Sequence, residues 1–330
     1  MIGECTGRFR FESPRRQGSL LAADHTSNAV ALRFMYRFPL GPLIGWLTLL
    51  VVTLGRLQAD TATFEFRVMT WNIWHGGRED GKDVGPRRVI EVIRDSKADL
   101  VALQETYGSG ELIAKELGFH LLSRGTNLSI HSRYPILEDV SVFEAFKCVG
   151  ALVELPGGRR LILYSIWLPY GKDIWVKETR AQESVAGWLQ ACQPSAADLL
   201  KIQQEINARL AAPKYQGIPV LIAGDFNSMS HLDYTAAAKA EYREIVDWPT
   251  SRVLPPHGYR DAYRTVNPTV NRLKDRTWSP RFPDQEQDRI DFIYFRGPGL
   301  EPTAATVLET HAERFPSDHA AVLATFRWRP

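Results

Sequence analysis

Val220-Leu221-Ile222-Ala223-Gly224-Asp225-Phe226-Asn227 runs from four apolar residues directly into an aspartate and an asparagine. The apolar part, between Pro219 and Gly224, reads as a short strand covered on both faces. A strand that ends in Asp-x-Asn places carboxylate and amide groups at the edge of a sheet. Sites grafted onto sheet ends are a common arrangement for chemistry.

The same signature recurs along the chain. Phe66-Arg67-Val68-Met69-Thr70-Trp71 ends in Asn72. Leu100-Val101-Ala102-Leu103 ends in Gln104-Glu105. Arg289-Ile290-Asp291-Phe292-Ile293 carries Asp291 within an apolar run, and Pro316-Ser317-Asp318-His319 opens the last one. Each has an ordinary structural reading. Asn72 serves as a turn former, Glu105 as a helix-start carboxylate, and Asp225 with Asn227 as a turn. Asp318 serves as a cap and His319 as a buried, hydrogen-bonded ring. Five such ends in one chain make a shared site the better account.

Strand-type runs are expected at 64–70, 100–103, 128–131, 151–155, 161–167, 220–223, 289–295 and 320–326. Helices are expected at 85–96, 111–117, 174–191, 196–210 and 235–247, with Pro194 separating the third from the fourth. Strands outnumber helices and no linker composition interrupts the chain after residue 60. This predicts one α+β domain over 60–330.

The ordered motifs Trp71-Asn72, Leu103-Gln104-Glu105, Ser132-Arg133-Tyr134-Pro135-Ile136, Gly224-Asp225-Phe226-Asn227, Thr277-Trp278, Asp288-Arg289-Ile290-Asp291 and Ser317-Asp318-His319 resemble those of the endonuclease/exonuclease/phosphatase superfamily. The resemblance covers about residues 64–328. It implies a four-layer αββα sandwich: two packed mixed β-sheets with helices outside. It also implies metal-dependent phosphoester hydrolysis with Mg²⁺, or Mn²⁺ in its place. Hard carboxylate and amide oxygens suit such a cation. By resemblance, Glu105 is the principal metal ligand, with Asn72 beside the metal and Asp318 contacting it or fixing His319. Asp225 aligns or deprotonates the attacking water, and Asn227 holds the phosphoryl group or the metal shell. His319 donates to a phosphoryl oxygen, and Asp291 orients it.

Two departures stand out. Many family members place a histidine or tyrosine where Trp167 follows Leu161–Ile166, and indole offers one N–H donor and no acceptor. Tyr170, three residues on, has a hydroxyl to contribute. The second departure is Trp74-His75-Gly76-Gly77, which opens a glycine-rich loop. His75 reads as an extra ligand or phosphate contact, or as part of a flexible surface loop. Trp74 and Trp175 divide between stacking and core packing; Trp278 is expected in the core.

The 11% aromatic content excludes a disordered chain. The formal charge of +2 is set by the leader. Without the seven arginines and three acidic residues of positions 1–59, 33 basic residues face 35 acidic ones. That balance argues against a protein that coats nucleic acid by phosphate neutralisation. Leu40–Gly55 is uncharged, preceded by Arg33 and Arg37, and rather short for a membrane span. A signal peptide cleaved near Ala59–Asp60 is expected, with Met35 as an alternative start and a retained anchor as the other outcome. An exported domain is thus predicted. Cys148 and Cys192 form at most one disulfide.

The function expected is a phosphodiesterase or nuclease. The alternatives are a sphingomyelinase-like phospholipase C, a phosphomonoesterase and a non-catalytic binding module. The partner is a phosphoester substrate: nucleic acid, a phospholipid headgroup or a small phosphodiester. No protein partner is implied, and a monomer is expected.

Overall fold

Alternation decides which way each strand faces. In the computed structural model, which describes residues 63–329, β1 (Phe64–Asn72) sends Phe66 and Val68 to one buried face and Met69 and Trp71 to the other. β2 (Leu100–Gln104) does the same with Leu100 and Ala102 against Val101 and Leu103. Both faces are therefore covered, as in the predicted sandwich.

The remaining strands are β3 (His120–Arg124), β4 (Leu128–Ser132), β5 (Ile136–Asp139), β6 (Cys148–Leu155), β7 (Arg159–Trp167), β8 (Val220–Asp225), β9 (Arg260–Asp261), β10 (Asp291–Arg296), β11 (Leu300–Leu308) and β12 (Ala321–Trp328). They form two six-stranded sheets, β11-β12-β1-β2-β4-β3 and β5-β6-β7-β8-β10-β9. Each sheet is mixed, with one parallel pair: β1 with β2, and β7 with β8. The other pairings are antiparallel.

The inner faces meet in a core that includes Phe66, Leu100, Ile130, Leu163, Leu221, Ile293 and Phe326. Outside the first sheet, helix Val84–Ser96 presents Val89, Ile90, Val92 and Ile93 to Met69, Trp71 and Leu103. Outside the second, helix Gln193–Leu210 buries Leu199, Ile202, Ile206 and Leu210 against Ile162, Tyr164 and Ile222. Four layers result, and the expected fold is the observed one.

The eight predicted strands are the eight interior strands. The four that the sequence did not announce, β3, β5, β9 and β11, lie at the sheet edges. Edge strands have one unpaired side and tolerate polar residues and proline. β11 contains Pro302 and a register shift between Pro302 and Ala304.

Three helix expectations are corrected. The 174–191 segment is two short helices, Lys177–Gln182 and Val185–Ala191. Glu183 is extended between them, and Ser184 caps the second by accepting from Gly187 N at 3.3 Å. Pro194 lies in the first turn of helix Gln193–Leu210, where its missing N–H costs nothing. Of 235–247, only Lys239–Tyr242 is helical, and left-handed Arg243 ends it. Tyr234, Tyr242 and Trp248 pack together there, so tertiary contacts override local propensity. Cys148 and Cys192 are buried free thiols. The leader, the Ala59–Asp60 cleavage and the Met35 start lie outside the described residues. No helix among the described residues is long and apolar enough to cross a membrane.

Candidate active site

The inward-facing positions of the central strands turn from apolar to polar at one end of the sandwich. On β1, Phe66 and Val68 give way to Thr70 and Asn72; on β2, Leu100 and Ala102 give way to Gln104. On β7, Leu161 and Leu163 give way to Ser165 and Trp167, and on β8, Leu221 and Ala223 give way to Asp225. β10 runs the other way and starts at Asp291 before Ile293 and Phe295. Gln104 Nε2 donates to Ser165 Oγ at 2.9 Å and to Thr70 Oγ1 at 3.2 Å, which ties the two sheets together beneath the site.

Above this polar seam lies a cleft of about 160 Å³. Asn72, His75, Glu105, Trp167, Tyr170, Asp225, Asn227, Asp318 and His319 all line it. Asp291 sits directly beneath, opposite Asp225 across the β8–β10 ladder. All ten residues singled out in the sequence thus converge on one place.

Asn72 bridges the site. Its amide donates to Glu105 Oε1 and to Asp225 Oδ2, each at 3.1 Å. Its oxygen accepts from Trp74 N at 3.0 Å and keeps a second lone pair. Glu105 has left-handed backbone (φ 56°), an uncommon conformation for a side-chain-bearing residue. Asn127 Oδ1 accepts from Glu105 N at 2.9 Å, and His75 N donates to Glu105 Oε2 at 3.1 Å. Asn127 was not foreseen, because nothing in its local sequence marks it.

Asp225 is buried. Its Oδ1 accepts from Asn227 N at 2.9 Å, and Oδ2 accepts from Asn227 Nδ2 at 3.2 Å. Burial raises its pKa, His319 opposes the rise, and Asp291 adds to it. His319 Nδ1 lies 2.9 Å from Asp291 Oδ2, and Nε2 lies 3.9 Å from Asp225 Oδ2. Burial by itself would lower the His319 pKa. The charges of Asp291 and Asp225 outweigh burial and hold it well above the usual histidine range. Those two carboxylates favour the protonated ring, in which both nitrogens are donors.

Asp225, Asp291 and His319 have ligand atoms within 4.8 Å of one another. His319 Nδ1 is held by Asp291 while Nε2 is left open toward the cleft, so this group reads as a positioned hydrogen-bond donor beside Asp225. Glu105 lies across the Asn72 amide from Asp225, and Asp318 lines the same cleft. The Asp318 pKa is raised to about 6, burial and the Glu105 charge pushing it up against the opposing effect of His319. No lysine or arginine appears among the described residues lining the cleft. Two carboxylates with no described lysine or arginine in the cleft fit a divalent metal with oxygen ligands, which Glu105 and Asp318 would hold.

Thr277-Trp278 knits the Asp291 and His319 segments together. Thr277 Oγ1 accepts from Ile290 N at 2.9 Å and Asp291 N at 3.1 Å, and Thr277 O accepts from Ala320 N at 2.7 Å. Trp278 packs against the core cluster that holds Trp175 and Trp248, as expected, and also lines the cleft, edge-on to His319 at 4.9 Å. Trp74 lines the mouth, and Trp175 lines the wall though almost fully buried. Trp74-His75-Gly76-Gly77 is a tight turn with positive φ throughout. His75 is exposed and hydrogen-bonds Glu79 at 2.7 Å, which raises its pKa. Ser132–Ile136 plays no part in the cleft; it carries the chain from β4 in one sheet to β5 in the other. Arg289 is wholly buried and paired with Asp233 and Asp261.

Comparison with known proteins agrees with the geometry. An uncharacterized protein of Caenorhabditis elegans, F14F9.5, is 25% identical over 321 residues, spanning 86% of this chain and 99% of its own. The crystal structure of truncated C. elegans TDP2 superposes with a TM-score of 0.57 at 18% identity, covering 80% of this chain and 97% of that one. D. rerio TDP2 complexed with single strand DNA product gives 0.55 at 19% identity, covering 79% and 98%. The model of the Endonuclease/Exonuclease/phosphatase family matches residues 69–319, and the chain belongs to that family.

Proposed function

We propose that the chain is an exported, metal-dependent phosphodiester hydrolase that uses Mg²⁺, or Mn²⁺ in its place. In this reading residues 1–59 direct export and 60–330 are one catalytic domain. The observation that carries it is the division of labour in the cleft. Asn72 joins Glu105 to Asp225, Asp291 holds the His319 ring beside Asp225, and Asp318 lines the same cleft.

A divalent metal held by Glu105 and Asp318 would neutralise charge on the phosphoryl oxygens. The remaining work falls to the protein. Asp225, its pKa raised by burial, accepts a proton from the attacking water. Asn227 Nδ2, which donates to Leu168 O at 2.8 Å and to Asp225, holds that carboxylate in place. His319 donates from Nε2 to a phosphoryl oxygen as charge builds there, while Asp291 fixes the ring through Nδ1. The water oxygen bonds to phosphorus, the ester P–O bond breaks, and the leaving oxygen takes up a proton from solvent.

A diester is favoured over a monoester because no described lysine or arginine of the cleft meets a second negative charge. The family membership supports phosphoester chemistry, and the DNA product named with D. rerio TDP2 makes nucleic acid one substrate class to test. The test is turnover of an aryl phosphodiester and the matched monoester with Mg²⁺, Mn²⁺ or chelator. Metal-dependent cleavage of the diester supports the reading; faster cleavage of the monoester would reverse the preference.

A further inference from the structure

We infer that His75 is a further protein ligand of the metal, binding through Nε2 beside Glu105 and Asp318, and that the site therefore selects Mn²⁺ over Mg²⁺. The inference rests on the hydrolase reading above and decides which divalent ion serves it.

The ring is the first argument. Glu79 Oε1 lies 2.7 Å from His75 Nδ1. A carboxylate that accepts from Nδ1–H leaves the Nε2 lone pair free, and metal-ligating histidines are oriented in this way. Here Nε2 lies 3.9 Å from Glu105 Oε2, too long for a hydrogen bond. Two donors each about 2.1 Å from one ion stand at most roughly 4.2 Å apart, so this pair can share a cation. The neighbouring Arg78 does not compete for the carboxylate, because its Nη1 donates to Tyr107 O at 2.7 Å.

The turn that carries the ring is the second argument. Trp74, His75, Gly76 and Gly77 all have positive φ, as does Glu105, to which they bond. Strained backbone of this kind gathers at functional sites. Gly76 N donates to Glu105 O at 2.6 Å, and Ser109 Oγ donates to Gly76 O at 2.7 Å. A Cβ on Gly76 would lie 2.8 Å from both Ser109 Oγ and Thr106 O. The turn is thus locked over the end of β2. It sets Trp74 N on Asn72 Oδ1, His75 N on Glu105 Oε2 and the imidazole at the mouth of the cleft. An exposed His–Glu pair by itself requires none of this.

An imidazole nitrogen changes the choice of ion. Mg²⁺ takes oxygen donors, whereas a first-row transition ion accepts carboxylate and imidazole together.

The test is calorimetric titration of the folded protein with MgCl₂ and with MnCl₂, joined to electron spin-echo spectroscopy of the Mn²⁺-bound protein. Wild type should show nitrogen coupling to Mn²⁺, lost in His75→Ala. The same substitution, at an exposed position, should weaken Mn²⁺ binding roughly 10–100-fold and Mg²⁺ binding less than about twofold. Glu79→Ala, which frees the ring, should weaken Mn²⁺ binding about tenfold. Oxygen-only Mn²⁺ in wild type, or a Mn²⁺/Mg²⁺ affinity ratio unchanged in His75→Ala, would overturn the inference and leave the hydrolase reading intact. So would a KM for an aryl phosphodiester that rises in His75→Ala while both metal affinities hold, since His75 would then touch the phosphoryl group instead. Binding of neither ion would defeat the metal-dependent reading beneath it.

Discussion

His319 is gripped from both sides: Trp71 Nε1 donates to its carbonyl at 2.8 Å, and Asp291 holds its ring. Such a ring has little freedom to adopt another role. His319→Ala and Asp225→Ala should each lower kcat by about 10³-fold with the fold retained, as judged by circular dichroism. A tenfold loss or less in either would contradict the assignment. At this scale the sequence announced nearly every group in the cleft, because strand ends that break a buried apolar pattern are visible in one dimension. It did not announce Asn127, whose contact with Glu105 is made across the sheet by a residue in an unremarkable turn. Nor did it announce that Trp278, packed against the core as expected, also faces the cleft.

At the scale of elements, the segment from Asp288 to Asp291 is held by buried charge. Arg289 pairs with Asp233 at 2.8 Å and Asp261 at 2.6 Å, and Arg180 pairs with Asp288 at 2.6 Å. Arg289→Met leaves buried Asp261 without its ion pair and Asp233 with Arg264 alone, and should cost about 3–5 kcal/mol in urea unfolding. A loss under about 1 kcal/mol would show that the network does not stabilise the start of β10. The turn before helix Val84–Ser96 is equally constrained. A Cβ on Gly85 would lie 1.7 Å from Gly77 O, so Gly85→Ala should destabilise by about 1–3 kcal/mol on the same assay. The interior strands were legible because burial on both faces demands continuous Val, Ile and Leu. The edge strands were not, since one-sided pairing relaxes that demand. The helix over 174–191 was misjudged because Glu183-Ser184 breaks it with a cap that resembles ordinary polar spacing.

For the molecule as a whole, stability depends on pH through His131, buried in β4, where burial lowers its pKa to about 3. The unfolded chain binds this proton below pH 6.5, and the folded chain does not until about pH 3. His131 therefore costs no stability above pH 6.5 and removes it progressively as pH falls. Between about pH 6 and 4, the unfolding free energy should drop about 1.4 kcal/mol per unit more steeply than in His131→Leu. Parallel curves would show that the ring is protonated in the folded state.

Metal binding acts on the same whole-molecule scale. With Mg²⁺ at about 100 times its Kd, binding should add about 2.7 kcal/mol and raise Tm by roughly 5–10 °C. Glu105→Ala should abolish the rise; an unshifted wild-type Tm would favour a binding module over an enzyme.

The central claim is that one cleft joins metal-holding carboxylates to an Asp225–His319–Asp291 group for diester hydrolysis. Its most direct measurement is steady-state hydrolysis of bis(p-nitrophenyl) phosphate by the wild type and Asp225→Ala, each with Mg²⁺ and with chelator. The predicted result is turnover in wild type with metal, absent with chelator and lost in the variant. Turnover that survives both the chelator and the substitution would contradict it.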